Sequence, residues 1–318
     1  MNKSDWILRE NFLKKYNYQG VDTKALFEIV KETVRSNNSE LLDYANFVEY
    51  DFASKSFFND KRYNDFLKSL FVFWQKNFLE KLDIKDHFDW FQNMVNNLTN
   101  FRPDFSHLRK VRLSLENYCE NGIIPMPFRF QKENFCVIWA NNLTKERERK
   151  FNNNIVDARL YLNIKPENIP ALSQKFVQYA IKNDISLIFK IAFKKRNDAV
   201  VLYTKYDNIA SLCDMIKKIK KQNPTLFEGC KVTNPMLAKI NEYIGYGEEP
   251  YSYGSYNSVR VEILSDVYKK LKALYAKDKN CLTNENIQVF FDEACKTHGI
   301  DKNNFALNFD RYNYNEME

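Results

Sequence analysis

The stretch Asp157-Ala-Arg-Leu-Tyr-Leu-Asn-Ile164 decides how this chain is read. Leu160, Leu162 and Ile164 alternate with Arg159, Tyr161 and Asn163, the period of a strand with one apolar and one polar face. Downstream, Pro166 to Lys182 reads as a helix. Ser186 to Lys194 returns to alternation, with Leu187, Phe189, Ile191 and Phe193 on one side and Lys190 on the other. Asp198 to Thr204 is apolar on both sides for most of its length, as a central strand is. Residues 207–222 read as a helix with Ile209, Leu212, Ile216 and Ile219 in one apolar stripe. Ser258 to Leu264 sets Val259, Val261 and Ile263 against Arg260 and Glu262 and reads as a further strand. Two helices, near 264–278 and 283–298, close the chain before a polar tail.

Upstream, residues 1 to about 120 read as helical. Apolar residues recur at three and four in Ala25, Leu26, Ile29, Val30 and Val34, and again from Phe66 to Leu79. Asp22, and Asn59 or Asp60, are candidate caps. The turn Pro125-Met-Pro127 marks a boundary, giving a helical N-terminal subdomain, 1–124, and a unit with strands and helices, 125–318. Two short strands, Phe128–Phe130 and Phe135–Trp139, open the second unit, and the polar segment Asn141–Asn154 reads as a loop or linker.

Composition narrows the function classes. Of 318 residues, 44% are hydrophobic and 28% charged, as in a soluble globular protein. No apolar run reaches the roughly 18–20 residues of a membrane span. The start, Met-Asn-Lys-Ser-Asp-Trp, lacks the apolar core of a signal peptide, so a cytoplasmic location is expected. Six cysteines form no CxxC pair, and the three histidines (His87, His107, His298) are scattered, so no metal-ligand spacing appears. The thiols read as reduced, buried small hydrophobes. So few histidines argue against a His-based triad, leaving acid–base chemistry to Lys, Glu, Asp or Tyr.

The net charge of +7 favours an anionic partner, weakly. Its densest run, Lys217-Lys-Ile-Lys-Lys221, falls opposite a helix's apolar stripe and reads as a solvated face ahead of a phosphate or nucleic-acid surface. No aromatic residues interleave with it in sequence, which disfavours nucleic acid.

Three of the seven glycines, Gly245, Gly247 and Gly254, fall within ten residues beside Glu248, Glu249 and Pro250, and read as a special loop. If the apolar strand faces all pack under helices, the opposite faces align Arg159, Tyr161, Asn163, Lys190, Arg260 and Glu262, with that loop at the edge. Converging Arg and Lys suit a phosphate or carboxylate ligand. The same pattern also describes an antiparallel sheet with one solvated face.

These segments carry a resemblance. Arg159-Leu-Tyr-Leu-Asn163, Phe189-Lys190, Lys195-Arg-Asn-Asp-Ala-Val-Val-Leu-Tyr203, Pro235-Met-Leu-Ala-Lys239, Gly245-Tyr-Gly-Glu-Glu-Pro250 and Tyr253-Gly-Ser-Tyr-Asn-Ser-Val-Arg260 are similar, in order, to the HopA family of type III secretion effectors of plant-pathogenic bacteria. The likeness is best over residues 155–265. Tyr253 stands where the family usually has phenylalanine, and Gly247 where small residues such as alanine are usual. The segment from Lys239 to Gly245 runs a residue short.

The resemblance implies an α+β fold, a helical N-terminal region followed by a curved, mainly antiparallel sheet with packed helices. It also implies two kinds of function. Some members are secreted effectors. Others, encoded beside kinase-like proteins in class V lanthipeptide and thioamitide pathways, resemble lyases that eliminate phosphate from phosphoserine or phosphothreonine to leave dehydroamino acids.

For this chain the lyase implication makes Lys190 or Lys239 the base, with Lys190 preferred because its strand fixes its direction. Arg159, Arg196 and Arg260 would hold the phosphate, and Asp198 would orient an arginine. Glu248 would orient a lysine or position the peptide, and Tyr161, Tyr203 and Tyr253 would donate a proton or line the groove. No metal or organic cofactor is implied. The implied partners are a phosphorylated precursor peptide and a kinase-like protein, with no membrane. The alternative is a non-catalytic effector or scaffold that binds a protein or peptide partner.

Overall fold

In a computed structural model the described residues are 3–57, 60–74, 128–131, 135–140, 156–183, 185, 187–250 and 254–309. Tyr253, Cys119, the turn at 125–127 and the segment 141–154 lie outside them.

Among the described residues seven strands form one sheet: β1 (Phe128–Gln131), β2 (Phe135–Ala140), β3 (Ala158–Leu162), β4 (Leu187–Ala192), β5 (Val200–Thr204), β6 (Ala238–Lys239) and β7 (Gly245–Glu248). Their spatial order is β1-β2-β4-β5-β3-β7-β6, and every neighbouring pair is antiparallel. β5, apolar on both faces in sequence, lies in the middle of that order, where both of its faces are covered.

Among the described residues eight α-helices pack around the sheet: α1 (Lys3–Lys15), α2 (Thr23–Ser36), α3 (Tyr44–Phe47), α4 (Lys61–Trp74), α5 (Ile169–Lys182), α6 (Tyr206–Gln222), α7 (Tyr256–Tyr275) and α8 (Asn284–His298). The architecture is α+β, with helices leading and the sheet following. The Asp22 carboxylate caps α2 by accepting from the backbone of Lys24 and Ala25. Asp60 accepts from the Arg62 N–H at the start of α4, at 2.8 Å.

The alternation read from sequence sorts side chains into two cores. Leu160, Leu202, Phe189 and Ile138 lie in register across β3, β5, β4 and β2. They pack against Phe176 of α5, Leu212 and Ile216 of α6, and Phe12 of α1. Truncating a fully buried aromatic such as Phe189 to alanine costs about 3–5 kcal/mol in a core of this kind. The second core joins Leu26, Val30 and Val34 of α2 to Val259, Ile263 and Val267 of α7 and to Ile287 and Phe291 of α8. The N-terminal helices therefore share both cores with later elements. Residue 19 also pairs with the sheet, exchanging backbone bonds with Lys239 at 2.8 and 2.9 Å.

Two local readings are corrected. The glycine segment is not a loop over Gly245–Glu248 but strand β7, inserted between β3 and β6. Gly245 and Gly247 leave one side of that strand bare, and Leu237, Val232 and Tyr256 fill the bared side. Residues 258–264 are not a strand but the first half of α7. Ser255 and Ser258 close a capping box there, and Val259, Ile263, Val267 and Leu271 recur at helical spacing. The alternation at 259–263 was a fragment of a longer 3.6-residue period.

Candidate functional site

Antiparallel register places facing residues on the same side of the sheet. In one row Val137, Lys190, Val201, Tyr161, Gly245 and Lys239 stand side by side. In the next, Ile188, Tyr203, Arg159 and Gly247 do. This face lies opposite the Leu160 face, so Arg159, Tyr161 and Lys190 do converge, as the alternation predicted.

The face is less open than an alternating strand implies. All five residues of β3 are buried. Arg159 is 8% exposed, lies over the Tyr203 ring with its guanidinium carbon 5.1 Å from the centroid, and donates both Nε and Nη2 to the Glu249 carboxylate. Burial works against its charge, but Tyr161, Tyr203 and Glu249 together outweigh that and hold it protonated. Tyr161 packs on Tyr256 at 5.9 Å between ring centres, and its buried hydroxyl has no hydrogen-bond partner among the described residues. Burial pushes that hydroxyl well above the usual phenol range.

Arg196 and Asp198 sit on the β4–β5 connection as a buried ion pair, with Arg196 Nη2 also donating to the Tyr44 hydroxyl at 2.8 Å. Burial and Asp198 push the Tyr44 hydroxyl up to about 12, against the pull of Arg196. Segment 44–57 clamps this connection: Asn197 donates to the carbonyls of Phe47 and Val48, and Phe57 donates to that of Phe193.

Lys190 is half-buried, its Nζ 4.1 Å from the centre of the Phe135 ring, and the Arg196 guanidinium carbon lies 4.4 Å from that same centre. Lys190 has no carboxylate at ion-pair distance among the described residues. Lys239 shares its row but lies toward the sheet edge on the two-residue strand β6 and is exposed.

Glu248 and Arg260 depart from the predicted surface. Glu248 stands across β3 from Ala158, on the opposite face from Arg159, and is fully buried. Burial pushes its carboxyl up, against the pull of Arg9, the Asn308 N–H, Tyr206 and Tyr246. Arg9 Nε of α1 lies 2.8 Å from Glu248 Oε1. Glu248 thus ties α1 to β7 and the segment at 308. Arg260 projects from α7 into the second core, where Nε donates to the Phe305 carbonyl at 3.0 Å and the guanidinium carbon lies 4.3 Å from the Tyr256 ring centre. The strand reading that set it beside Arg159 is replaced by the helix.

Glu249, Phe135 and Tyr44 were missed in sequence. Reading 245–248 as a strand would have found Glu249, because residues 245, 247 and 249 then follow the face of Arg159 and Glu248 the other. Tyr44 lies 154 residues from its partner Asp198, and no local pattern links them.

Among the described residues, no group of three or more His, Cys, Asp or Glu could hold a metal ion, and no helix is long and apolar enough to cross a membrane.

The segments that build this face match the HopA1 effector protein family over residues 129–307, more than half of the chain. The chain belongs to the HopA1 effector protein family. Solved structures of two effector proteins are similar to this HopA1-family chain. That from Pseudomonas syringae pv. tomato strain DC3000 is 15% identical, with 90% of this chain and 98% of that one covered and a TM-score of 0.48. That from Pseudomonas syringae pv. syringae strain 61 is 13% identical, with 91% and 97% covered and a TM-score of 0.44. None of the curated proteins compared with this HopA1-family chain matches it.

Proposed function

We propose that this chain is an effector-type protein that works by binding a protein or peptide partner on the sheet face carrying Arg159, Tyr203 and Lys190. One observation carries the reading: the arginines expected to hold a phosphate are either committed to a carboxylate or buried away from the face. Glu249 holds Arg159, Asp198 holds Arg196, and Arg260 is in the core. The carboxylates on the Arg159 and Arg196 forks fill the geometry a departing phosphate would need, and the Arg260 fork is shut away from the sheet face. Residence in the cytoplasm and export as an effector both accord with this reading.

A second reading, elimination of phosphate from phosphoserine or phosphothreonine, is favoured by Lys190, whose amine lies over the Phe135 ring and has no carboxylate partner among the described residues. In that reaction the amine would take the substrate α-proton. The C–H electron pair would become the Cα=Cβ bond, and the Cβ–O bond would break to release phosphate. A kinase-like protein would supply the phosphorylated peptide.

Mass spectrometry of phosphothreonine and phosphoserine peptides, including a kinase-phosphorylated precursor, separates the two. Peptides left intact, together with partner binding lost in Lys190→Glu and Tyr203→Ala, are expected. Loss of phosphoric acid that disappears in Lys190→Ala would overturn the binding reading in favour of the lyase.

A further inference from the structure

The helical layer over the Leu160 face assembles a basic belt that no single segment carries. Lys217, Lys218 and Lys221 lie exposed on α6. Lys218 Nζ is 5.5 Å from the ring centre of Tyr179 on α5. Lys175 and Lys182, at four before and three after Tyr179, share its side of α5 and are exposed. Lys217 Nζ lies 4.2 Å from the ring centre of Tyr16, at the end of α1, and Lys15 lies 5.0 Å from the same ring. Lys220 extends the belt to Tyr243, 3.6 Å from its ring centre. The acids among these contacts are Asp214, paired with Lys15, and Glu242, paired with Lys220. Seven lysines against these two acids leave the belt positive.

Two features choose the partner. The tyrosine rings are covered by lysine stems or ammonium groups, and Tyr16 is only 7% exposed, so the belt offers no open rings for bases to stack on. At its edge, α1 exposes two large apolar side chains, Ile7 at 43% and Leu8 at 37%. Leu8 lies seven residues before Lys15, two turns along the same stripe of α1. Lysines beside exposed aliphatic residues match an anionic bilayer surface, where cations meet lipid headgroups and aliphatic side chains enter the acyl boundary.

We propose that the α1–α5–α6 layer docks the protein on a membrane surface rich in anionic lipid, leaving the Arg159 face on the far side of the sheet, away from the bilayer. Neither the belt nor the reading depends on the function proposed above.

The test is co-sedimentation of the full chain with phosphatidylcholine vesicles, with and without about one-third phosphatidylserine. Binding to the anionic vesicles only, weakened by added salt, is expected. Lys217→Gln, Lys218→Gln and Lys221→Gln combined should lose about a hundredfold in partitioning, from about a fivefold factor per lysine. These side chains are exposed, and circular dichroism would confirm that the fold is kept. Ile7→Ser with Leu8→Ser, at unchanged charge, should lose several-fold more. No binding to anionic vesicles at low salt would overturn the proposal, as would binding that the lysine variant retains. Unchanged binding by the Ile7/Leu8 variant would also overturn it, in favour of plain electrostatic contact. Oligonucleotide binding without vesicle binding, lost in the lysine variant, would make the belt a nucleic-acid surface instead.

Discussion

The ring of Tyr256 occupies the space that a side chain on Gly247 would need. A Cβ built at Gly247 would lie 2.3 Å from Cε2 of Tyr256. Tyr256 is fully buried, packs on Tyr161, and its hydroxyl donates to the Met236 carbonyl, so the ring cannot withdraw. The bare glycine lets the start of α7 lie against the sheet beside Arg159. Alanine at this position would require the ring to move.

Gly247→Ala should therefore destabilise the fold by about 1–3 kcal/mol, the usual penalty of overpacking a filled core. The double variant Gly247→Ala, Tyr256→Phe should not recover the loss, because the ring itself is the obstacle. Urea denaturation midpoints of the three proteins check this, and a Gly247→Ala midpoint equal to wild type would refute it.

Glu248 makes stability depend on pH in a definite direction. Burial raises its folded value above the ordinary glutamate value of 4.5, so the folded chain binds its proton more tightly than the unfolded chain does. That contribution is complete below 4.5 and is lost as pH rises through the raised folded value. Glu248→Gln keeps the shape without the titration, so the stability difference between wild type and variant should change across that window. Urea melts at stepped pH would show it, and parallel curves would refute it.

Asp198 and Arg196 are 1% and 5% exposed. Removing one partner of such a pair leaves an uncompensated buried charge, so Asp198→Asn should cost about 3–5 kcal/mol. Adding Arg196→Met should recover part of the loss, because the stranded charge goes with it. A double-mutant cycle in guanidinium measures the coupling, and additive losses would count against it.

Cys136, Cys213, Cys230, Cys281 and Cys295 are buried and form no disulfide among the described residues. Burial pushes Cys230 up to about 11 and Cys295 up to about 12. The native protein should titrate with no more than one equivalent of a thiol reagent at mildly alkaline pH, and with six after unfolding. Rapid native reaction of two or more thiols would contradict the burial.

Much of this was legible in one dimension, because strand and helix periods are local. Alternation around Arg159 and Lys190 placed both on one side of a sheet, and an all-apolar run placed β5 at its centre. Asp22 announced the start of α2. The reading failed where two periods fit the same few residues. Val259, Val261 and Ile263 satisfied a strand, but Ser255 with its capping box and the run on to Leu271 made a helix, and Arg260 went with it into a core.

Sequence by itself determined most of the element types and the apolar faces of the strands and helices, since each depends on neighbours a few residues apart. Only the tertiary structure decided which charges meet. It gave Arg159 to Glu249, 90 residues away, and Arg196 to Tyr44, 152 residues away. It also turned Glu248 to the opposite face and drew the lysines of α1, α5 and α6 into one belt. Charge contacts act over a few ångströms with no preferred sequence separation, so only packing of the apolar faces could bring those groups within range.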